Sequence, residues 1–491
     1  MVVRFAPLAV VSQEWRERAY ALQLVGDVSV ATGASLVEHG FRRDAHLRSA
    51  QRLKRLAEKH GGLLCKFGQH VSTLHHAVPR EYVEVLSSLT DAQPASDVAS
   101  LVRDACPGLE LEPRPIASAS VAQVHRAFLP DGRVVACKVM HPGLEKKIDA
   151  SLWALRCGFA LASVFTKEWA WVLPEFEDAL GLELDLLQEA ANAERAGRVC
   201  RVPRVLWEHS SRRVLVTEFV TGHRVDDATA HRAHGIDPRR VGDALVAAVA
   251  SLAYEHGLVH ADPHGGNALV EPLGNGRFNL WLLDHGLYRR LDDATRRDIC
   301  ALWEALARGE PPEAAVRLGL GRDLEEATRV AKLLFFFSGT RRFGAEPDAV
   351  SKAKTRAQVR DLLPEASARL RALPRDLLFA LRSASLLRGQ HQALGGTRRD
   401  RYLIFAATAA RGAALPPTDD TATPVARPAR LKNPNHPLNL PTASEALQRR
   451  GVIVSLFYAA YATLRVARLR LRLLLAEFLR FARSSFLPHF S

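Results

Sequence analysis

Asp262, Asn267 and Asp284 are the side chains of this sequence best suited to hold a hard cation. The first two lie in His256-Gly-Leu-Val-His260-Ala-Asp262-Pro-His264-Gly-Gly-Asn267, and the third in Leu283-Asp284-His285-Gly286. Mg²⁺ is kept octahedral by carboxylates, amide oxygens and water, and this trio supplies oxygen donors of those types. Two other readings compete. His256, His260 and His264 recur every four residues, a spacing that would suit zinc on a helix. The segment could also be an ordinary polar turn. Either reading leaves the Asp-x₄-Asn spacing and the following Asp-x-Gly as coincidences, so the oxygen-ligand reading is preferred. His260 is expected to bond the backbone and shape the loop.

The order of these residues matches the kinase template. There a catalytic-loop Asp faces the acceptor or orients a nucleophile. An Asn five residues on holds one Mg²⁺, and a later Asp-x-Gly carboxylate bridges metal to phosphate. Upstream, Val134-Val135-Ala136-Cys137-Lys138 ends a strand pattern, where the template places the lysine that pairs with the α- and β-phosphates. Glu189 is the candidate carboxylate to hold Lys138. Leu215 to Val220 resembles the strand into the interlobe hinge, so Glu218 and Val220 are expected beside the adenine. The loop over the phosphates should be Gly-x-Gly-x-x-Gly, yet the chain has Ala117-Ser118-Ala119-Ser120-Val121 between Ile116 and Ala122. Alanine reaches positive φ less cheaply than glycine, so this loop is expected to be stiffer and to meet phosphate differently.

The elements that must carry these residues follow from pattern. Apolar residues at helical spacing run from about Arg42 to Ala105, with breaks at Gly61-Gly62 and Pro79. Val121 to Phe128 and Arg133 to Val139 read as strands joined through Pro130-Asp131-Gly132. Leu152 to Phe165 and Pro174 to Ala196 read as helices, and Arg213 to Val220 as a strand. From Asp237 the chain is mainly helical. It is interrupted by a hairpin, Ala268 to Val270 and Leu280 to Leu283, around Gly274-Asn275-Gly276. A strand-rich part followed by a helical part is the two-lobed plan of kinase-like folds.

The chain has 491 residues and a formal net charge of +14. Such an excess favours nucleotide, nucleic acid or acidic membrane as partner. No zinc-finger or RNP spacing supports nucleic acid. The excess is largely arginine, which a GC-rich genome supplies without selection for binding. The six cysteines form no C-x-x-C pair, which fits a compartment without disulfide frameworks. Near the start, Arg4 is followed by no acid before Glu14. That is a transit-peptide-like trait, though an incomplete N-terminus would look the same. The apolar run from Gly451 to Leu464 stops at Arg465, short of a membrane span.

Taken with the alanine-rich loop, two further motifs carry a family resemblance. Lys66-Phe67-Gly68-Gln69 is a Lys-x-Gly-Gln motif in a helical extension, and Glu183-Leu184-Asp185 is a Glu-x-Asp motif before Glu189. The sequence resembles the aarF-domain (UbiB-like, ADCK) atypical kinases over roughly residues 42 to 411. Leu283-Asp284-His285-Gly286-Leu287-Tyr288 points to the first-member mitochondrial subgroup. The resemblance implies ATP binding with Mg²⁺, and ATPase or phosphotransfer chemistry on a small or lipid-like acceptor. It also implies a role in quinone or lipid homeostasis at mitochondrial membranes, with plastids as the alternative. Lys66, Gln69, Glu183 and Asp185 are expected to be regulatory: the helical extension must dock to bury its apolar faces, and a Lys66 that reaches the acidic pair would form a lid over the active-site mouth.

The expected architecture is α+β, a bilobal protein-kinase-like fold. Residues 1–41 form a variable segment, 42–110 the helical extension, 111–222 the small lobe and 223–411 the large lobe. Residues 412–445 form a Pro-rich linker, and 446–491 a basic amphipathic helix. Arg465, Arg468, Arg472, Arg480 and Arg483 gather on one side of that helix. It suits an anionic bilayer or a packing role equally. In the expected chemistry Asp262, Lys138 and Glu189 are catalytic, and Asn267 and Asp284 hold the metal. The alternatives are a nucleotide-gated membrane-associated pseudokinase scaffold and a conventional protein kinase. No specific protein partner is indicated.

Overall fold

The computed structural model describes residues 43–73, 78–89, 95–163, 172–336, 373 and 375–415. The N-terminal segment, nearly all of the Pro-rich stretch and the basic C-terminal helix expected from the sequence lie outside these residues. The chain divides into two compact units, one of residues 1–188 with 205–219 and one of residues 189–204 with 220–491.

The first unit opens with helices α1 (Arg43–His60), α2 (Gly62–Thr73), α3 (Arg80–Leu86) and α4 (Ala99–Ala105). Gly61 and Gly62 take positive φ at the break between α1 and α2, a conformation that glycine reaches without steric cost. An antiparallel sheet follows: β1 (Glu110–Leu111), β2 (Ala117–Ser118), β3 (Ala122–Phe128), β4 (Val134–Met140) and β5 (Val214–Glu218). The strand order is β1-β3-β4-β5, with β2 on β3. Side chains alternate across the sheet. Val135, Cys137 and Val139 therefore point into one core with Val214 and Val216, and Lys138 points to the opposite face.

Helices α5 (Leu144–Ser163) and α6 (Val172–Glu183) fall between β4 and β5 in the chain. They share a second core with α2, where Phe67 meets Phe176 and Phe159 edge-on at 5.2 and 5.8 Å between ring centres. The extension is thus held to the sheet-bearing unit by buried aromatic contact.

The sequence pattern suggested one helix from Pro174 to Ala196. The structure has two, α6 and α7 (Leu186–Ala196), broken at Leu184-Asp185. Asp185 ends the first by capping the second: its Oδ1 accepts from Leu187 N–H at 3.0 Å and Gln188 N–H at 3.4 Å. A carboxylate at that position satisfies amides that a new helix leaves unpaired. Helix α5 also begins earlier than the expected Leu152, because Gly143 turns the chain with φ 66° just before it.

The second unit carries β6 (His223–Arg224), α8 (Ala228–Ala233), α9 (Pro238–His256), β7 (Leu258–His260), β8 (Ala268–Gly274), β9 (Arg277–Leu282) and β10 (Tyr288–Arg290). Helices α10 (Asp293–Arg308), α11 (Glu313–Arg317), α12 (Leu324–Phe336), α13 (Arg375–Ala393) and α14 (Arg398–Ala414) complete it. Helix α9 has both ends written in sequence. Asp237 caps its first turn, Pro238 stands at the first helical position, and Gly257 closes it with φ 67°. This helix delivers the chain into β7 and so into the loop that bears Asp262. The fold is α+β and kinase-like.

Candidate functional site

The hairpin of β8 and β9 sets the geometry of the oxygen donors. Ala268 pairs with Leu282, and Leu283 N–H donates to the Asn267 carbonyl at 2.8 Å. Asn267 therefore precedes one strand and Asp284 follows the other at the same end of the hairpin. The tip of that hairpin is Gly274-Asn275-Gly276, with Asn275 at φ 53°, as a tight turn with positive φ demands. Asn267 Nδ2 donates to the Asp262 carbonyl at 3.2 Å. That bond ties the loop closed and fixes which end of the amide is nitrogen, leaving Oδ1 as the ligand-capable atom. Asp284 Oδ1 accepts from Gly286 N–H at 2.9 Å, which orients the carboxylate. Asp262, Asn267 and Asp284 are thus brought together in one unit, and their donor set is the hard oxygen type that Mg²⁺ takes.

The three histidines are not on one helix. His256 ends α9, His260 ends β7, and His264 caps the 3-10 turn Gly265–Asn267, its Nδ1 accepting from Gly266 N–H at 3.0 Å. Among the described residues no group of three or more His, Cys, Asp or Glu could hold a metal ion. His260 shapes the loop as expected, since its Nδ1 accepts from Asp262 N–H at 3.3 Å. Burial pushes its imidazole down to about 3, so the ring is neutral.

A stack of rings lies behind this loop. Tyr288 packs on His260 at 4.8 Å and on His285 at 5.7 Å between centres. His285 stands where the kinase template has Phe. Its Nε2 donates to the Leu282 carbonyl at 3.1 Å, so in the neutral ring Nδ1 accepts from Tyr288 Oη–H, also at 3.1 Å. Asn192 of α7 donates to the His285 carbonyl at 3.0 Å. A histidine here exchanges purely apolar packing for directional bonds that fix the segment following Asp284. Asn192 was not singled out from the sequence, because nothing in its local pattern marks a partner 93 residues away; Tyr288 was read only as part of the motif after Asp284, without its stacking role.

Lys138 lies on β4, paired across the sheet with Val124 and Leu215. Glu189 is buried in the first turn of α7. Lys138 belongs to the first unit and Glu189 to the second. Ala117 and Ser118 form β2, and Ala119, Ser120 and Val121 make the turn into β3. Glu218 ends β5, and Val220 follows it.

In the helical extension, Lys66 forms an ion pair with Glu183, and both side chains are about four-fifths buried, at 21% exposure each. Gly68 lies where an added Cβ would sit 2.4 Å from Leu89 Cδ1. Gln69 Nε2 donates to the Leu89 carbonyl at 3.2 Å. Asp185 goes elsewhere: besides capping α7, it takes Arg212 Nη2 at 3.1 Å. Of the acidic pair, Lys66 engages Glu183, and Asp185 serves the helix start.

Comparison with known proteins gives the chain a family. Residues 109–315 match the ABC1 atypical kinase-like domain. The chain is 35% identical over 380 residues to AarF domain-containing protein kinase 1 of Xenopus laevis, covering 72% of each protein. It is 33% identical over 376 residues to the mouse (Mus musculus) protein of the same name, again covering 72% of each. A protein of Arabidopsis thaliana bearing the ABC1 name is 31% identical over 428 residues, with 79% of this chain and 78% of that one covered. On the identity and coverage of these relatives, the chain belongs to the ABC1/AarF family of atypical kinase-like proteins.

Proposed function

We propose that this chain binds ATP with Mg²⁺ and passes the γ-phosphoryl group to water or to a small, lipid-like acceptor. One observation carries the reading: the hairpin register that sets Asn267 and Asp284 at one end, tied by Asn267 Nδ2 to the Asp262 loop. Asn267 Oδ1 and the Asp284 carboxylate would hold the metal, whose charge would offset that of the phosphates. Lys138 would pair with the α- and β-phosphates, and Glu189 keeps the role that the kinase template gives its carboxylate. Glu218 and Val220 would meet the adenine. Asp262 would take the proton of the attacking hydroxyl as the bond from phosphorus to the departing oxygen breaks. The alanine-rich loop, with no glycine from Ile116 to Gln123, favours a small acceptor over a protein hydroxyl. A place at mitochondrial membranes, in quinone or lipid homeostasis, follows from the family resemblance and the arginine-rich C-terminal sequence.

Calorimetric titration of Mg-ATP into the full chain tests the metal assignment. Asp284→Asn keeps the shape of the side chain and removes its charge, so affinity should fall at least about tenfold, or about 1.4 kcal/mol. With EDTA, wild type and variant should bind alike. Equal affinity of D284N and wild type in Mg²⁺ would remove Asp284 from the metal site.

A further inference from the structure

Beneath the alanine-rich loop runs a chain of largely buried polar groups whose donors and acceptors match. His125 Nδ1 lies 2.8 Å from the Glu112 carbonyl, which can only accept, so Nδ1 carries the proton. In the neutral ring His125 Nε2 is then an acceptor, and Gln123 Nε2 donates to it at 2.8 Å. The second hydrogen of the Gln123 amide goes to the Ser96 carbonyl at 2.9 Å, and Gln123 Oε1 accepts Ser96 N–H at 2.9 Å. His141 Nε2 faces the Ala119 carbonyl at 2.8 Å and must donate to it. In the neutral ring its Nδ1 then accepts from Ser96 Oγ–H at 3.0 Å. Gln123 is wholly buried, and His125 and His141 are nearly so, at 4% and 8% exposure.

The network ends on the loop itself. Besides the Ala119 carbonyl, the Val121 carbonyl accepts from His141 N–H at 3.1 Å, and Ala119 N–H bonds Ala122 O at 2.9 Å. His141 thus grips both sides of the turn from the end of β4, beyond Lys138 on the same strand. The hydroxyls of Ser118 and Ser120 are shielded from solvent and have no hydrogen-bond partner among the described residues, so the turn is held through its backbone rather than through these side chains.

We infer that Ser96, Gln123 and His141 form a brace that fixes the alanine-rich loop before nucleotide arrives, with His141 as a positioning residue for the phosphates. The function of the brace rests on the nucleotide reading above; its existence does not. A glycine-rich loop closes over phosphate by its own flexibility. This loop lacks that freedom and is held from below, so the shape it presents to phosphate is set in advance.

The test uses the full chain as wild type, His141→Leu and His141→Gln. Leu removes the donor, whereas the Gln amide can set an N–H near the position of the imidazole Nε2. Hydrogen exchange at Ala119 and His141 should be at least about tenfold faster in H141L and close to wild type in H141Q. The KM for Mg-ATP in phosphate release should rise about tenfold in H141L with kcat changed less than about twofold, and H141Q should restore KM. Unchanged exchange in H141L overturns the brace. Faster exchange with an unchanged KM, or no rescue by H141Q, overturns the positioning role. Should wild type itself bind no Mg-nucleotide, the proposed function falls, and the exchange result still decides the brace.

Discussion

Removing Lys66 or Glu183 should cost the helical extension measurable stability, and removing both should cost less than the sum. The two side chains join α2 to α6 and are each about four-fifths buried. At an effective dielectric constant of about 20, unit charges 4 Å apart attract by about 4 kcal/mol. Desolvating both ends offsets much of that, which leaves a net coupling of about 1–2 kcal/mol. Lys66→Met alone leaves Glu183 poorly solvated without this cation, and Glu183→Gln leaves Lys66 in the converse position. Each single change should therefore lower local stability by about 2–2.5 kcal/mol, and the double change by about 3 kcal/mol. Native-state hydrogen exchange of α2 amides reads these values directly as opening free energies. The coupling should persist in 1 M salt, because screening acts on exposed pairs far more than on buried ones. If the two single effects simply add, or if the coupling vanishes in salt, the pair is a surface contact and the reasoning fails. Neither variant should unfold the chain, since Phe67 still anchors α2 among Phe159 and Phe176. A change in nucleotide turnover by K66M in the folded protein would then assign the motif a role beyond packing.

Two further outcomes are expected. His260 has its imidazole pushed by burial from an ordinary 6.5 to about 3, so the folded chain declines a proton that the unfolded chain takes. Its stabilising effect is whole above pH 6.5 and fades by about 1.4 kcal/mol per unit as pH falls toward 3. Between pH 6.5 and 5, His260→Gln should lose about 2 kcal/mol less than wild type in denaturant melts, and parallel acid limbs would count against a neutral buried ring. Arg296 is fully buried and donates to the Tyr254 carbonyl at 3.0 Å, the Gly412 carbonyl at 2.8 Å and Asp293 Oδ1. Arg296→Met should destabilise by about 3–5 kcal/mol because it strips partners from two carbonyls and a carboxylate; a thermal midpoint shift of less than a degree would contradict it.

What the sequence revealed was what short-range chemistry writes. The Asp262–Asn267 loop, the Asp-x-Gly and the turn at Gly274-Asn275-Gly276 are local, and residues there answer backbone demands on the spot. The strands around Pro130-Asp131-Gly132 were equally plain, because Gly132 takes φ 83° at their turn. The break at Asp185 was hidden, since neither Gly nor Pro marks it and the apolar spacing continues through it. Asp185 caps with one oxygen and pairs with Arg212 through the other, and that partner lies 27 residues away. The brace under the loop was hidden for the same reason. Ser96 stands 27 residues from Gln123 and 45 from His141, and no periodicity links residues that meet only after the sheet has formed.

The alanine-rich loop shows how a missing motif can be as informative as a present one. Reading glycine's absence as a loss of flexibility predicts either strain or a different backbone path. The structure has the second: no residue from 116 to 123 takes a positive φ, although Gly108 and Gly132 on either side of the segment do. The chain therefore avoids the left-handed conformations that alanine would enter at a cost, and Ala119 and Val121 give their carbonyls to His141 instead. A loop that needs no glycine and is gripped through its carbonyls has exchanged induced closure for a fixed shape. Such a loop excludes ligands by geometry rather than by closing on them. Substituting glycine at Ala119 alone would add freedom without removing the His141 grip, so the loop should loosen only when that bond is lost as well.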